Sequence, residues 1–86
     1  MAHSMVESRL AACVQVIPIQ STFRWKKKIN CCPEWLVCAK TRRPLIKQLM
    51  ALIKSIHPYQ VPEIIVIPVS RVSPDYLKWV LEETGA

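Results

Sequence analysis

The segment HPYQVPEIIVIPV, residues 57 to 69, sets an imidazole, a phenol and a carboxylate ahead of a run of isoleucines and valines. Imidazole is a good copper ligand, and thiolates suit Cu(I). His57 is one of two histidines, and the other, His3, lies in a terminus expected to fray. The chain also carries four cysteines, at 13, 31, 32 and 38. In an extended segment alternate residues point the same way, so His57, Tyr59, Val61 and Glu63 would share one side and edge a polar pocket. The simpler and preferred reading of His57 is steering: with Pro58 it stops a helix, and its side chain caps the last helical carbonyls. For Glu63, a plain salt bridge to Lys40 or Arg42 competes evenly with a pocket role.

Cys31 and Cys32 are adjacent. In a strand they would point to opposite faces and could share one ion only through a distorted turn, so two exposed thiols in a loop is the preferred reading. Cys13 and Cys38 sit in apolar runs, where a thiol behaves as a small core residue, although Cys13 is a possible second metal ligand. No CxxC pair and no disulfide framework is present, and in a reducing cytosol the thiols would be free. The stretch FRWKKK, residues 23 to 28, interleaves aromatics with cations in a manner that suits single-stranded nucleic acid. The preferred alternative is a hairpin whose aromatics pack and whose lysines are solvated, with no nucleic-acid partner. There is no Gly-rich phosphate loop, no HExxH and no nucleophile with an evident base, so no enzyme is expected.

These residues need elements to hold them. With 86 residues the chain makes one small domain, residues 1–86. It is 51% hydrophobic with mean hydropathy +0.18, and a domain of this size buries only about 60% of its surface. Apolar surface is therefore left over, and oligomerisation is where it goes. A net charge of +6 permits anion binding. The longest apolar run is far below the roughly 20 residues of a spanning helix, and MAHSMVESRL has no signal-peptide h-region. A soluble, cytoplasmic protein without a membrane partner is expected.

Residues 3 to 12 read as a short helix with Val6, Leu10 and Ala11 on one side. Cys13 to about Trp25 reads as a strand, the three lysines 26 to 28 as a charged tip, and Glu34 to Thr41 as a returning strand. Alternation puts Phe23 and Trp25 on one face of the first strand; in the returning strand it puts Trp35, Val37 and Ala39 on one face and Leu36 and Cys38 on the other. Pro44 opens a helix whose arc holds Leu45, Ile46, Leu49, Met50, Leu52, Ile53 and Ile56. Glu63 to Val69 reads as a buried strand from its nearly continuous apolar content. Ser73 and Pro74 start a last helix carrying Tyr76, Leu77, Trp79, Val80 and Leu81, and Gly85 ends it. One strand placed ahead of this order would give β-α-β-β-α-β, the ferredoxin-like arrangement.

LAAC at 10 to 13, FRW at 23 to 25, KTRR at 40 to 43, HPYQVPEI at 57 to 64 and YLKW at 76 to 79 occur in one order and spacing. Together they resemble the CutA family of divalent-ion tolerance proteins, from about residue 5 to residue 84. The resemblance implies an α+β, ferredoxin-like domain and a homotrimer joined through long hairpins and sheet edges. Phe23, Trp25, Trp35 and Trp79 would then serve trimer or hairpin packing. It also implies a link with copper or other divalent metals, bound weakly, with no organic cofactor and no firmly established catalysis. His57 is the best metal candidate on the family pattern.

Three departures stand out. Family members begin with an apolar strand, central in the sheet and in some members bearing a metal-binding cysteine, and this chain starts part-way into the following helix. Lys27 stands where a turn glycine is expected, and Val72-Ser73 replaces Gly-Asn. Without the leading strand, the hairpin and the strand at 63 to 69 are expected to leave backbone groups unpaired. A rival reading resembles the trimeric PII signalling proteins, with a small anion held between subunits by Lys40, Arg42 and Arg43. A truncated product without function is a third.

Overall fold

The hairpin sets the shape. In the computed structural model, which describes residues 1–57 and 61–85, strands β1 (Cys13–Trp25) and β2 (Lys28–Lys40) pair antiparallel along their full length, from Cys13 opposite Lys40 to Trp25 opposite Lys28. At about 3.3 Å per residue such a strand is roughly 43 Å long, close to the 45 Å long axis of the chain. The second strand begins six residues earlier than Glu34, where the sequence reading started it. The tip is a two-residue turn, Lys26-Lys27, with φ of 50° and 65°. Both central residues of a type I′ hairpin turn have positive φ, which is why the family position filled by Lys27 suits glycine. Lysine can adopt this conformation at a modest cost.

Helix α1 (Ala2–Glu7) is shorter than the 3 to 12 expected. It stops because Arg9 turns into the left-handed region at φ 61°. The residue it buries is Met5, at 1% exposure, whereas Val6 is exposed. A single 3-10 turn (Arg43–Leu45) with Pro44 in its first positions leads into α2 (Ile46–Ile56), as the proline and the apolar arc predict. Met5, Ala11 and Leu49 form the core, with Leu10, Val14, Ala39, Leu52 and Ile53 packed around them. Val14 and Ala39 are register partners, so their face of the hairpin is the one that meets the helices.

Helix α3 (Pro74–Glu83) starts with Ser73 as its N-cap residue, but the serine side chain makes no capping bond. Gly85, at φ 83°, follows its end as expected. The strand expected at 63 to 69 does not form. Its backbone makes no ladder and no hydrogen bond among the described residues, and Ile65, Ile67 and Val69 are 71%, 77% and 72% exposed. The composition asks for burial between neighbouring strands, and among the described residues the sheet is the two-stranded hairpin alone. The fold is α+β, with a long antiparallel hairpin and helices.

Candidate functional site

His57 follows directly on α2 and takes its C-cap position, half-buried, with extended φ and ψ of −80° and 132°. Its backbone N–H donates to the Ile53 carbonyl at 2.8 Å. The helix must end here because a residue preceding proline avoids the α region. Tyr59 lies outside the described residues. Glu63 is exposed and takes part in none of the ion pairs among them.

Cys13 is the first residue of β1, half-buried and opposite Lys40. Gln15 and Cys38 form the next pair on the same face. Across this quartet Lys40 Nζ donates to Gln15 Oε1. Cys31 and Cys32 lie within β2, not in a loop, and point to opposite faces by strand alternation. All four cysteines are free. Among the described residues, no three His, Cys, Asp or Glu side chains gather closely enough to hold a metal ion. The described residues of one chain thus offer donors singly or in pairs and no set of three.

The KTRR segment turned out to be a junction. Thr41 Oγ1 donates to the Leu10 carbonyl at 2.6 Å, and the Ala12 N–H donates to the Lys40 carbonyl at 2.8 Å. These bonds stitch the LAAC and KTRR motifs together. Arg42 donates from Nε to Thr84 Oγ1 at 3.0 Å and from Nη2 to the Thr84 carbonyl at 2.9 Å. The Thr84 hydroxyl in turn donates to the Val80 carbonyl at 2.7 Å. Arg9 Nη1 reaches the Glu83 carbonyl at 3.3 Å, with the Glu83 carboxylate 3.9 Å away. Two guanidinium groups therefore satisfy the orphan carbonyls at the end of α3, where positive charge also suits the helix dipole. Sequence reasoning missed this. Arg9 and Arg42 lie far from Glu83 and Thr84 in the chain, and no local pattern marks the pairs.

The aromatic residues divide between two faces. Register places Phe23, Trp25, Ile17, Ile19 and Leu36 on the hairpin face away from the core, all exposed in the single chain. Trp35 and Val37 share the core-side face with Val14 and Ala39, but Trp35 is 68% exposed. On α3, Trp79 packs against Tyr76 with ring centroids 5.5 Å apart, and both remain partly exposed. No helix among the described residues is long and apolar enough to cross a membrane.

The family model described as the CutA1 divalent ion tolerance protein matches residues 1–83. The chain is similar to Protein CutA of Mus musculus, 45% identical over 84 residues, which is 96% of this chain and 48% of that protein. It spans about half the length of the vertebrate relatives that it matches. Among solved structures it superposes on CutA1 of Pyrococcus horikoshii with a TM-score of 0.93 at 38% identity, over 98% of this chain and 82% of that one. It also superposes on a PII-like protein CutA from Nostoc in apo form, with a TM-score of 0.92 at 32% identity over 96% and 82%.

Proposed function

Since this chain belongs to the CutA1 divalent ion tolerance family, we propose that it serves the response to divalent metal ions as a homotrimer that binds copper weakly. The observation that carries the assembly is the outward face of the hairpin. Ile17, Ile19, Phe23, Trp25 and Leu36 line one continuous side of the paired strands and stay exposed in the single chain. An apolar surface of this kind marks an interaction site. Copies of the chain joined through their hairpins would cover it, and Trp35 on the opposite face and Trp79 on α3 are further exposed aromatics that packing between copies would bury.

Metal binding follows from the ligand types. His57, at a fixed helix end, is the best donor, and Cys13 is the candidate second ligand. With no set of three ligands in one chain among the described residues, coordination is completed from outside that chain, either by solvent or across a subunit boundary. That makes affinity low and ties it to assembly. Its test is copper titration of the wild-type protein and of His57→Ala, followed by tryptophan emission. The substitution is expected to reduce affinity at least about tenfold, the loss of one good ligand interaction. Equal affinity in the two proteins would leave the cysteines as the binders. Free thiols agree with a reducing compartment such as the cytoplasm.

A second reading follows from the PII-like relative: a small anion held at subunit boundaries by Lys40, Arg42 and Arg43. Only Arg43 fits easily, because Lys40 and Arg42 already bind Gln15 and Thr84. A melting shift with an anion and none with metal would favour this reading over the first.

A further inference from the structure

We propose that Cys13 and Cys38 form a two-thiolate site for reduced copper, Cu(I), at the base of the hairpin on its outward face. The register carries the proposal. Cys13 is opposite Lys40 and Cys38 is opposite Gln15, so the two thiols are diagonal neighbours on one face. Both are half-buried and free. Cys31 lies on the other face. Cys32 shares the outward face but stands six positions before Cys38 on the same strand, which puts it about 20 Å away. The inference goes beyond the metal reading at His57: it shares Cys13 with that reading and does not depend on the imidazole.

The diagonal spacing selects what can join the two sulfurs. Diagonal neighbours in an antiparallel pair have Cβ atoms roughly 7 Å apart. A disulfide needs about 3.5–4.5 Å, so the pair does not close on itself. Two metal–sulfur bonds of about 2.3 Å each hold sulfurs up to about 4.6 Å apart, and the Cβ–Sγ bonds at either end supply the rest of the span. The number of donors then selects the ion. Thiolates favour Cu(I), zinc and iron–sulfur clusters. Structural zinc and the clusters take four ligands, and among the described residues no third His, Cys, Asp or Glu joins this pair. Cu(I) is satisfied by two thiolates in a line. Each thiol releases its proton on binding, so the bound group carries one net negative charge. Lys40 offsets that charge: it is opposite Cys13, two positions from Cys38, and its ammonium is bonded to Gln15 within the same quartet.

The test uses the full chain, reduced and free of oxygen, titrated with Cu(I) against a coloured Cu(I) chelator. One copper per chain is expected. Cys13→Ser and Cys38→Ser should each weaken binding at least about tenfold, since even the loss of an outer-shell partner has that effect. Cys31→Ser, Cys32→Ser and His57→Ala should bind as the unaltered protein does. A second measurement needs no variant to fold. In the unaltered protein, one equivalent of Cu(I) should shield Cys13 and Cys38 from a maleimide, read by mass spectrometry, and leave Cys31 reactive. Full Cu(I) affinity in Cys38→Ser, or shielding of Cys31 and Cys32 in place of Cys13 and Cys38, would overturn the proposal. So would a Cys13–Cys38 disulfide within one chain after mild oxidation, because it would show the thiols closer than the diagonal allows. Loss of Cu(I) affinity in His57→Ala would place the ion at His57 and overturn it too. Cu(II) favours nitrogen and oxygen donors, so failure with Cu(I) leaves the His57 reading standing.

Discussion

Arg42 holds Thr84 twice, through the hydroxyl at 3.0 Å and the carbonyl at 2.9 Å, and so ties the exit of the hairpin to the end of the last helix. Thr84 is 3% exposed. The two bonds close a path between segments that make few other contacts. A charged hydrogen bond contributes about 1.5–3 kcal/mol, and a buried acceptor left without its donor bears a desolvation penalty. Arg42→Ala should lower stability by roughly 2 kcal/mol, measured by urea unfolding at fixed protein concentration. Arg42→Lys should recover less than half, because a point charge cannot span both acceptors as the planar fork does. A neutral Arg42→Ala would show that α3 docks without this clasp.

The turn at the hairpin tip should accept repair. Lys26 and Lys27 both have positive φ, which suits Asn-Gly in a two-residue hairpin turn. Lys26→Asn with Lys27→Gly should stabilise the protein by about 1–2 kcal/mol, the relief of two left-handed residues with a side chain. Unfolding midpoints of the two proteins provide the check, and an unchanged or lower midpoint would contradict the turn geometry.

The same tip separates two readings of the basic patch. If the lysines only solvate the turn, replacing Lys26, Lys27 and Lys28 by glutamine should leave folding and assembly unaltered. Binding of the wild-type protein to a single-stranded oligonucleotide should stay weak. Tight binding with a steep salt dependence, lost in the triple variant, would instead identify a phosphate-contacting surface.

Thiol chemistry should follow exposure. Cys31 is exposed, while Cys13, Cys32 and Cys38 are half-buried. Access limits the rate of modification, so a maleimide reagent should label Cys31 first. Mild oxidation should join chains through this residue, because Cys31 and its neighbour Cys32 face apart. Mass spectrometry of Cys31→Ser after oxidation should show far less of the cross-linked species. Cross-linking that persists unchanged would place the reactive thiol elsewhere.

Much of this molecule was legible in its residues, for reasons that differ by element. Helix α2 could be read because Pro44 and an apolar arc at the helical period act locally, and His57 with Pro58 ends it. That Phe23 shares a face with Trp25, and Trp35 with Val37 and Ala39, followed from strand alternation; that these two faces are opposed needed the pairing register. The tip at the three lysines was legible, but its tightness was not: INCCP looked like a loop, whereas β2 already begins at Lys28. The segment at 63 to 69 is the instructive case. Its composition states a demand for neighbours on both edges, but a strand exists only where those neighbours are present. The link between Arg42 and Thr84 joins residues 42 positions apart, beyond the reach of any local pattern. At the candidate site, residue types were visible and their grouping was not. His57 and Cys13 can be picked out as donors, yet the described residues of one chain bring no third ligand to either.

The proposed homotrimer rests on the exposed apolar face of the hairpin, which copies of the chain would cover. Sedimentation equilibrium of the purified 86-residue protein tests it most directly. The expected result is a single species with three times the 9.9 kDa chain mass, persisting on dilution into the low micromolar range. A folded, stable monomer across the same concentrations would contradict it.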